Sequence, residues 1–422
     1  MKKTFFVLVT LSISVIFSFS KTSAIKNIYP EKIELTVENE IKTKRTDETI
    51  TLNVNKLKKS KSNFNPEAFI VQVDGKEVPS QASDIDNNGT KDQILFNIDL
   101  KSNSTKTVII RYKENGKKKS IYEKRTQAEL SHKYGGQFKK KDDQYVYEGG
   151  EFKNVNYLDV PPQHTDHSYF IRYEGPGWES DEIGYRMYLD WRNGFDIYGK
   201  KTSEMVLQEV GQDGFESYHE MSDWGMDILK VGSSLGIGSF GLWHNNSVER
   251  VSDVDNRICE ICADGEIKSQ LTIQYHGWKV ANDKYNLTSN LSIKAGDRKT
   301  KNHLEVEGNP PNLCTGLVKH GAKILKSESN KGNWAYFATY GEQSLSGDKL
   351  GMAILYNKKN LEEITEDKNS HVIVFDPKND AVTYYFLAAW EREPDGIKNR
   401  KSFQKYLEKE LNKINNPINI QY

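Results

Sequence analysis

The sequence predicts an all-β protein: a small Ig-like β-sandwich, then a large antiparallel β-sandwich, closed by a short C-terminal helix. Three observations predict it. Apolar and polar residues alternate with period two through most of the chain. Polar turn clusters separate the alternating runs, and helical spacing dominates only near the end.

The elements follow in chain order. "MKKTFFVLVTLSISVIFSFSKTSA" places Lys2 and Lys3 before an apolar run from Phe5 to Phe19, with small residues at Thr22, Ser23 and Ala24. That is the pattern of a cleaved signal peptide over 1–24, which implies a periplasmic or secreted protein. The run is too short to span a bilayer comfortably, and no later segment is apolar enough, so no membrane insertion is expected. Removing 24 of the 422 residues leaves 398, enough for two or three domains or one large β architecture.

Residues 25–115 read as the accessory sandwich, with "KIELTVEN", "TITLNVNKL", "AFIVQVDG", "QILFNIDL" and "TVIIRYK" as its strands. Lysine-rich "KENGKKKS" (113–120) reads as a loop with a solvated face, and "YEKRTQAELSHK" (122–133) as a short helix. The main sandwich is expected over 116–422. Its strands include "IGYRMYLDW", "IKSQLTIQYHGWKV", "YNLTSNLSIKAG", "WAYFATYG" and "AVTYYFLAAWE", and their clean alternation indicates antiparallel sheets. "SFQKYLEKELNKI" (402–414) puts Phe403, Tyr406, Leu407, Leu411 and Ile414 on one helical stripe.

Lys and Arg number 59, as do Asp and Glu; removal of the leader, which carries Lys2, Lys3 and Lys21, brings the net charge to −3. A near-neutral surface excludes a nucleic-acid partner, which needs a basic face. The chain holds 22 Tyr, 17 Phe and 7 Trp, a composition that suits core filling and the stacking of sugar rings. In a strand through "RICEICADG", Cys259 and Cys262 point to opposite faces about 10 Å apart, beyond the ~7 Å a disulfide allows. They and Cys314 read as small buried side chains.

Three stretches carry candidate chemistry. "DIDNNGTKD" sets Asp84, Asp86, Asn88 and Asp92 at positions one, three, five and nine of a calcium loop, with Gly89 at six. Leu95 stands where the twelfth-position glutamate belongs, and the same residues suit a hairpin turn capped by Asx side chains. A structural Ca²⁺ is thus one expectation and a capped turn the other. "PPQHTDHSYFIRYEG" clusters His164, Asp166 and His167 beside Arg172, a possible divalent-metal set or a polar strand entrance. In "SYHEMSDWGMDILKVGSSLGIGS" a helix through 218–231 would stack His219, Asp223, Asp227 and Lys230 on one face. This stripe is either a solvated face or a site, and excursions from a rigid β scaffold favour sites.

"FIRYEGPGWESDEIGYRMYLDWRNGFDIYGKK", "YHEMSDWGMDILKVGSSLGIGS", "NPPNLCTGLVKHG", "WAYFATYGEQSLSGDKLGMAILY" and "YYFLAAWE" resemble a secreted bacterial family long labelled a domain of unknown function. The resemblance runs from about Arg125 to Trp390. The family's genes sit in polysaccharide-utilisation loci for ulvan, alginate and pectins, and members include dehydratases acting on terminal uronic acids. The resemblance implies a supersandwich of the galactose-mutarotase or lyase type. It also implies a substrate containing uronic acid and a carbon–oxygen lyase reaction giving a 4,5-unsaturated uronate.

Such an elimination needs a base for the C5 proton, an acid for the departing C4 oxygen, and positive charge on the substrate carboxylate. His219, Tyr218 and His320 are the candidate proton carriers. Arg172 and Lys230 are candidate clamps, with Arg186 and Lys319 as further substrate contacts. Trp178, Trp224 and Trp278 offer a stacking floor, and Asp223 and Asp227 orient the bases. No cofactor is required by this reading. A hydrolase pairing Asp223 or Asp227 with Glu179, and a non-catalytic sugar-binding protein, are the alternatives.

Overall fold

The computed structural model describes residues 27–118, 122–327 and 332–422. The expected leader and the last two residues of the lysine-rich loop lie outside them. No helix among the described residues is long and apolar enough to cross a membrane. The chain divides into two compact units, one reaching Tyr122 and including Ile418–Tyr422, the other Glu123–Pro417.

In the first unit, Glu31–Asn39 buries Ile33, Leu35 and Val37 and turns the intervening residues outward. It lies between Ser104–Tyr112 and the C-terminal strand Asn419–Gln421, in a five-stranded antiparallel sheet. Arg45–Asn53, Gln93–Leu100 and Ser80–Ser83 form the second sheet. Val108, Ile110, Ile94 and Phe96 fill the space between the two. A short helix, Val54–Ser60, begins where the Asn53 side chain accepts the Lys56 N–H.

The second unit is built on a nine-stranded antiparallel sheet whose longest members, Lys268–Val280 and Asp283–Lys294, form a hairpin. Two five-stranded sheets cover its inner face. One runs Gly225–Asp227, Phe195–Lys200, Gly184–Met187, Gly177–Ser180, Thr126–Glu129; the other is centred on Ile237–His244 and Leu313–Val318. A bridge between Phe195 and Gly236 joins the two side by side. Trp178, Tyr185 and Phe195 from the first, Phe240 from the second and Phe386 from the large sheet interlock as edge-to-face and tilted rings. The fold is therefore the mostly antiparallel β-sandwich with a short C-terminal helix that the alternation predicts.

That helix spans Arg400–Asn415, and Asn399 caps it by accepting the Ser402 N–H. Phe403, Leu407 and Leu411 are buried against Tyr336, Ala353 and Leu387 on the outer face of the large sheet. Gly351 permits this approach, because a Cβ there would press into the Phe403 ring. The helix expected over 122–133 is instead two strands, Thr126–Glu129 and Ser131–Tyr134. Pairing of Thr126–Glu129 with Gly177–Ser180 and burial of Thr126, Ala128 and Leu130 override the local helical pattern.

Candidate functional site

The expected helix over 218–231 is also absent. Ser217–His219 is a single 3-10 turn, and Gly225–Asp227 adds a strand to the edge of the Phe195–Lys200 strand. Gly225 has φ +135°, and a Cβ there would overlap the Gly199 carbonyl oxygen, so strand pairing wins over helical spacing. The stripe is consequently broken: Asp223 and Lys230 are exposed, while Asp227 turns into the protein.

What it turns towards is Arg186. In the hairpin Gly184–Met187 and Phe195–Lys200, Arg186 stands opposite Asp196, and Tyr198 stands opposite Asp227 on the next strand. Arg186 Nη2 donates to Asp196 Oδ2 at 2.8 Å and to Asp227 Oδ2 at 2.6 Å, and Nε donates to Asp196 at 3.1 Å. Nη1 donates to the Tyr218 hydroxyl at 2.8 Å, and the Tyr188 hydroxyl donates to Asp196 at 2.7 Å. The guanidinium also lies over the rings of Tyr188, Tyr218 and Tyr198, at 4.8, 5.0 and 5.6 Å. One cation facing two buried carboxylates leaves excess negative charge. Burial and the facing Asp227 push Asp196 up to about 7.

Two imidazoles border this network, in different settings. His219 Nδ1 lies 2.5 Å from the Phe215 carbonyl, and Nε2 lies 3.5 Å from Asp227 Oδ2. Both nitrogens face acceptors, so the protonated ring is favoured, and Asp227 holds the His219 pKa above its ordinary value. Its side chain is 43% exposed. His167 is 59% exposed, and its Nδ1 lies 2.5 Å from Asp166 Oδ1. Its Nε2 makes no protein hydrogen bond among the described residues. Ring contacts connect the two imidazoles: the Phe215 centroid is 5.3 Å from that of His167 and 6.4 Å from that of Tyr218, which is 4.6 Å from the His219 ring.

His167 sits in a contorted segment. His167, Tyr169, Tyr173 and Glu174 all have positive φ, at 55°, 57°, 38° and 68°. Left-handed non-glycine residues each cost about 1–3 kcal/mol, and such strain gathers at functional sites. Polar bonds hold the segment: Glu174 Oε1 accepts the His167 N–H at 2.9 Å and faces Arg192 Nη2 at 2.9 Å. Arg192 Nη1 lies 2.8 Å from Asp166, and its guanidinium is 4.0 Å from the Tyr188 ring centroid. Ligand atoms of Asp166, His167 and Glu174 fall within 4.8 Å of one another, a geometry a divalent ion can use. Buried His164 is not among them. Its Nδ1 faces Ser168 Oγ at 2.8 Å, and burial lowers its pKa to about 4.

Several expected roles are corrected by burial. Arg172 is 1% exposed, pairs with Glu129 and donates to the Gln208 carbonyl, so it cannot clamp a solute. Arg186 is likewise sealed and organises the acids behind the surface. Tyr218 is buried as its partner. Trp178 and Trp278 are core residues rather than a stacking floor, and half-buried Trp224 packs edge-on to Tyr198. His320 faces the Lys230 carbonyl at 2.9 Å, and Lys319 pairs with Glu366; neither is joined by a bond or ion pair to the Arg186 network among the described residues. Glu179 is fully buried against Lys200, which removes it from any hydrolytic pair. Cys259 and Cys314 are buried, as expected, whereas Cys262 is half-buried.

Asp196, Tyr188, Glu174 and Arg192 are the members that sequence reasoning missed. A signal existed: Arg186 and Tyr188, then Asp196 and Tyr198, are spaced by two on consecutive strands and so share one face of a hairpin. In the first unit, ligand atoms of Asp84, Asp86 and Asp92 lie within 4.8 Å. Asp84 accepts the Asn88 and Gly89 N–H groups at 3.1 and 2.8 Å, and Asn88 Oδ1 is taken by the Thr90 N–H at 2.8 Å. The loop is thus a capped turn whose carboxylates remain close enough to share an ion.

The chain belongs to the family described as Domain of unknown function (DUF4861), which matches residues 37–420. It is 22% identical over 410 residues to "Uncharacterized protein P7" of Formosa agariphila, covering 92% of each chain. Among solved structures it is similar to a protein in the Glycosyl Hydrolase Family 38 from Enterococcus faecalis, at TM-score 0.44 and 9% identity, covering 93% of this chain and 48% of that one. It is also similar to an alpha-mannosidase from Enterococcus faecalis V583, at TM-score 0.45 and 10% identity, covering 93% and 46%. The chain spans about half the length of these two solved chains.

Proposed function

We propose that this DUF4861 member is a carbon–oxygen lyase that eliminates water, or a glycosidic leaving group, from the terminal uronic acid of an oligosaccharide such as an ulvan fragment. The observation that carries this reading is the pair of imidazoles in unlike settings at one network: His167 with Nε2 unengaged among the described residues, and His219 with both ring nitrogens facing acceptors. Elimination needs that combination. His167 Nε2 takes the C5 proton, and the C5–H electrons form the C4=C5 double bond. The C4–O bond breaks, and the oxygen leaves with the proton given by His219. Asp166 orients the base and Asp227 the acid. Arg192 is the cation beside His167; Glu174 and Asp190 fix its fork, and Nη1, shared with Asp166, is where it meets the substrate carboxylate.

Buried Arg186, Asp196, Tyr188 and Tyr218 hold Asp227 against His219 and do not touch the sugar. The uronate substrate and the secreted location rest on the resemblance of the sequence motifs and on the leader. The test is turnover of uronate oligosaccharides, followed by the ultraviolet absorbance of the conjugated product. His167→Gln should lower kcat by about 10²–10⁴-fold while leaving binding nearly intact. Reducing ends released without that absorbance would instead make the protein a hydrolase, and binding without either product a sugar-binding module.

A further inference from the structure

Resting on that reading, we infer that Trp191, backed by Arg250, is a sugar-stacking subsite for acidic oligosaccharides beside the reacting residue. Among the described residues, Trp191 is the tryptophan that stands out in water, at 46% exposure. It occupies the turn of the hairpin that carries Arg186 and Asp196, next in sequence to Arg192. The turn is rigid. The Arg192 N–H and Nε both donate to Asp190 Oδ1, at 2.8 and 3.0 Å. Asn193, in the left-handed region at φ 45°, accepts the Tyr275 hydroxyl at 2.6 Å. A turn pinned on its inner side that still presents an indole to solvent gives a stacking face with little ordering left to lose on binding.

Arg250 gives the platform its charge preference. Its guanidinium lies 5.4 Å from the Trp191 ring centroid, and its Nη1 donates to the Arg192 carbonyl at 3.1 Å. Arg250 is half-buried, and the charged groups that act on it are Asp190, Asp367 and Arg192. The two arginines thus meet at one turn, with Arg192 directed towards Asp166 and Glu174 and Arg250 towards Trp191. A sugar ring packed on the indole next to a guanidinium matches a uronate better than a neutral hexose.

The experiment is calorimetric titration of the full chain with trisaccharides from ulvan, alginate and pectin, and with cellotriose as the neutral control. Trp191→Ala should weaken uronate binding about tenfold, and Trp191→Phe should recover part of the loss. Arg250→Gln should reduce the preference for uronate over cellotriose. If wild-type protein binds a uronate trisaccharide and Trp191→Ala binds it equally well, the subsite is wrong although the functional reading stands. If wild-type protein binds none of the uronates, the functional reading fails and the subsite with it. If Arg250→Gln weakens both sugars equally, the charge preference is overturned. Wild-type self-association that disappears in Trp191→Ala would assign the indole to a protein contact instead.

Discussion

Glu179→Gln separates a structural carboxylate from a catalytic one. Glu179 Oε2 lies 2.6 Å from Lys200 Nζ, and Oε1 accepts the N–H groups of Val206 and Leu207 at 2.8 and 2.9 Å. Both charged side chains are 0% exposed. The substitution leaves the Lys200 ammonium buried, with the Ser180 carbonyl at 2.7 Å as its remaining close acceptor. Breaking one side of such a pair costs about 3–5 kcal/mol, because the other charge stays buried and uncompensated. In a unit as large as Glu123–Pro417, about 2 °C of melting temperature accompanies each kcal/mol, so the loss should be roughly 6–10 °C. Circular-dichroism melts of the full chain read it directly. Adding Lys200→Met should restore much of the stability by removing the stranded charge. An unchanged melt accompanied by lost turnover would refute the reasoning and return Glu179 to the reaction.

Other perturbations probe the site and the accessory unit. Asp227→Asn removes the largest cause of the raised His219 pKa, so the alkaline limb of kcat/KM should move to lower pH while turnover falls about 10- to 100-fold. The stability His219 contributes is present below about pH 6.5 and is lost as pH rises through its raised folded value. In Asp227→Asn that dependence should shrink, which melts across pH will read. Ca²⁺ at a hundredfold excess over its Kd should stabilise the unit holding Asp84, Asp86 and Asp92 by about 2.7 kcal/mol. A melt indifferent to Ca²⁺ and to chelator removes that ion. Chelator should leave uronate turnover unchanged, since Arg192 carries the charge; lost turnover would place the cation on Asp166, His167 and Glu174.

Chemistry was legible in residue types sooner than in their arrangement. His219, Asp227, Tyr218 and Arg186 were all recognisable as site candidates, and the structure gathers all four. Spacing of four suggests that His219 and Asp227 share a helical face, but Gly225 demands an edge strand, and it is that strand which brings them together. Arg172 and the tryptophans failed for another reason. A sequence shows that a side chain is cationic or aromatic, but its burial depends on which sheet closes over it.

By itself the sequence determined the period-two strands, their polar turns and the apolar stripe of the Arg400–Asn415 helix. These depend on neighbours within a few residues, and local sterics and amphipathicity decide them. Only the tertiary structure decided that His167 and His219 border one network. They are 52 positions apart, and the Arg186 hairpin, the edge strand at Asp227 and the strained 167–174 segment bring them together. The accessory sheet likewise recruits Asn419–Gln421 from the far end of the chain. Hydrogen bonding across a sheet edge and the burial of one cation among several acids carry no trace of sequence distance, so no local pattern could announce them.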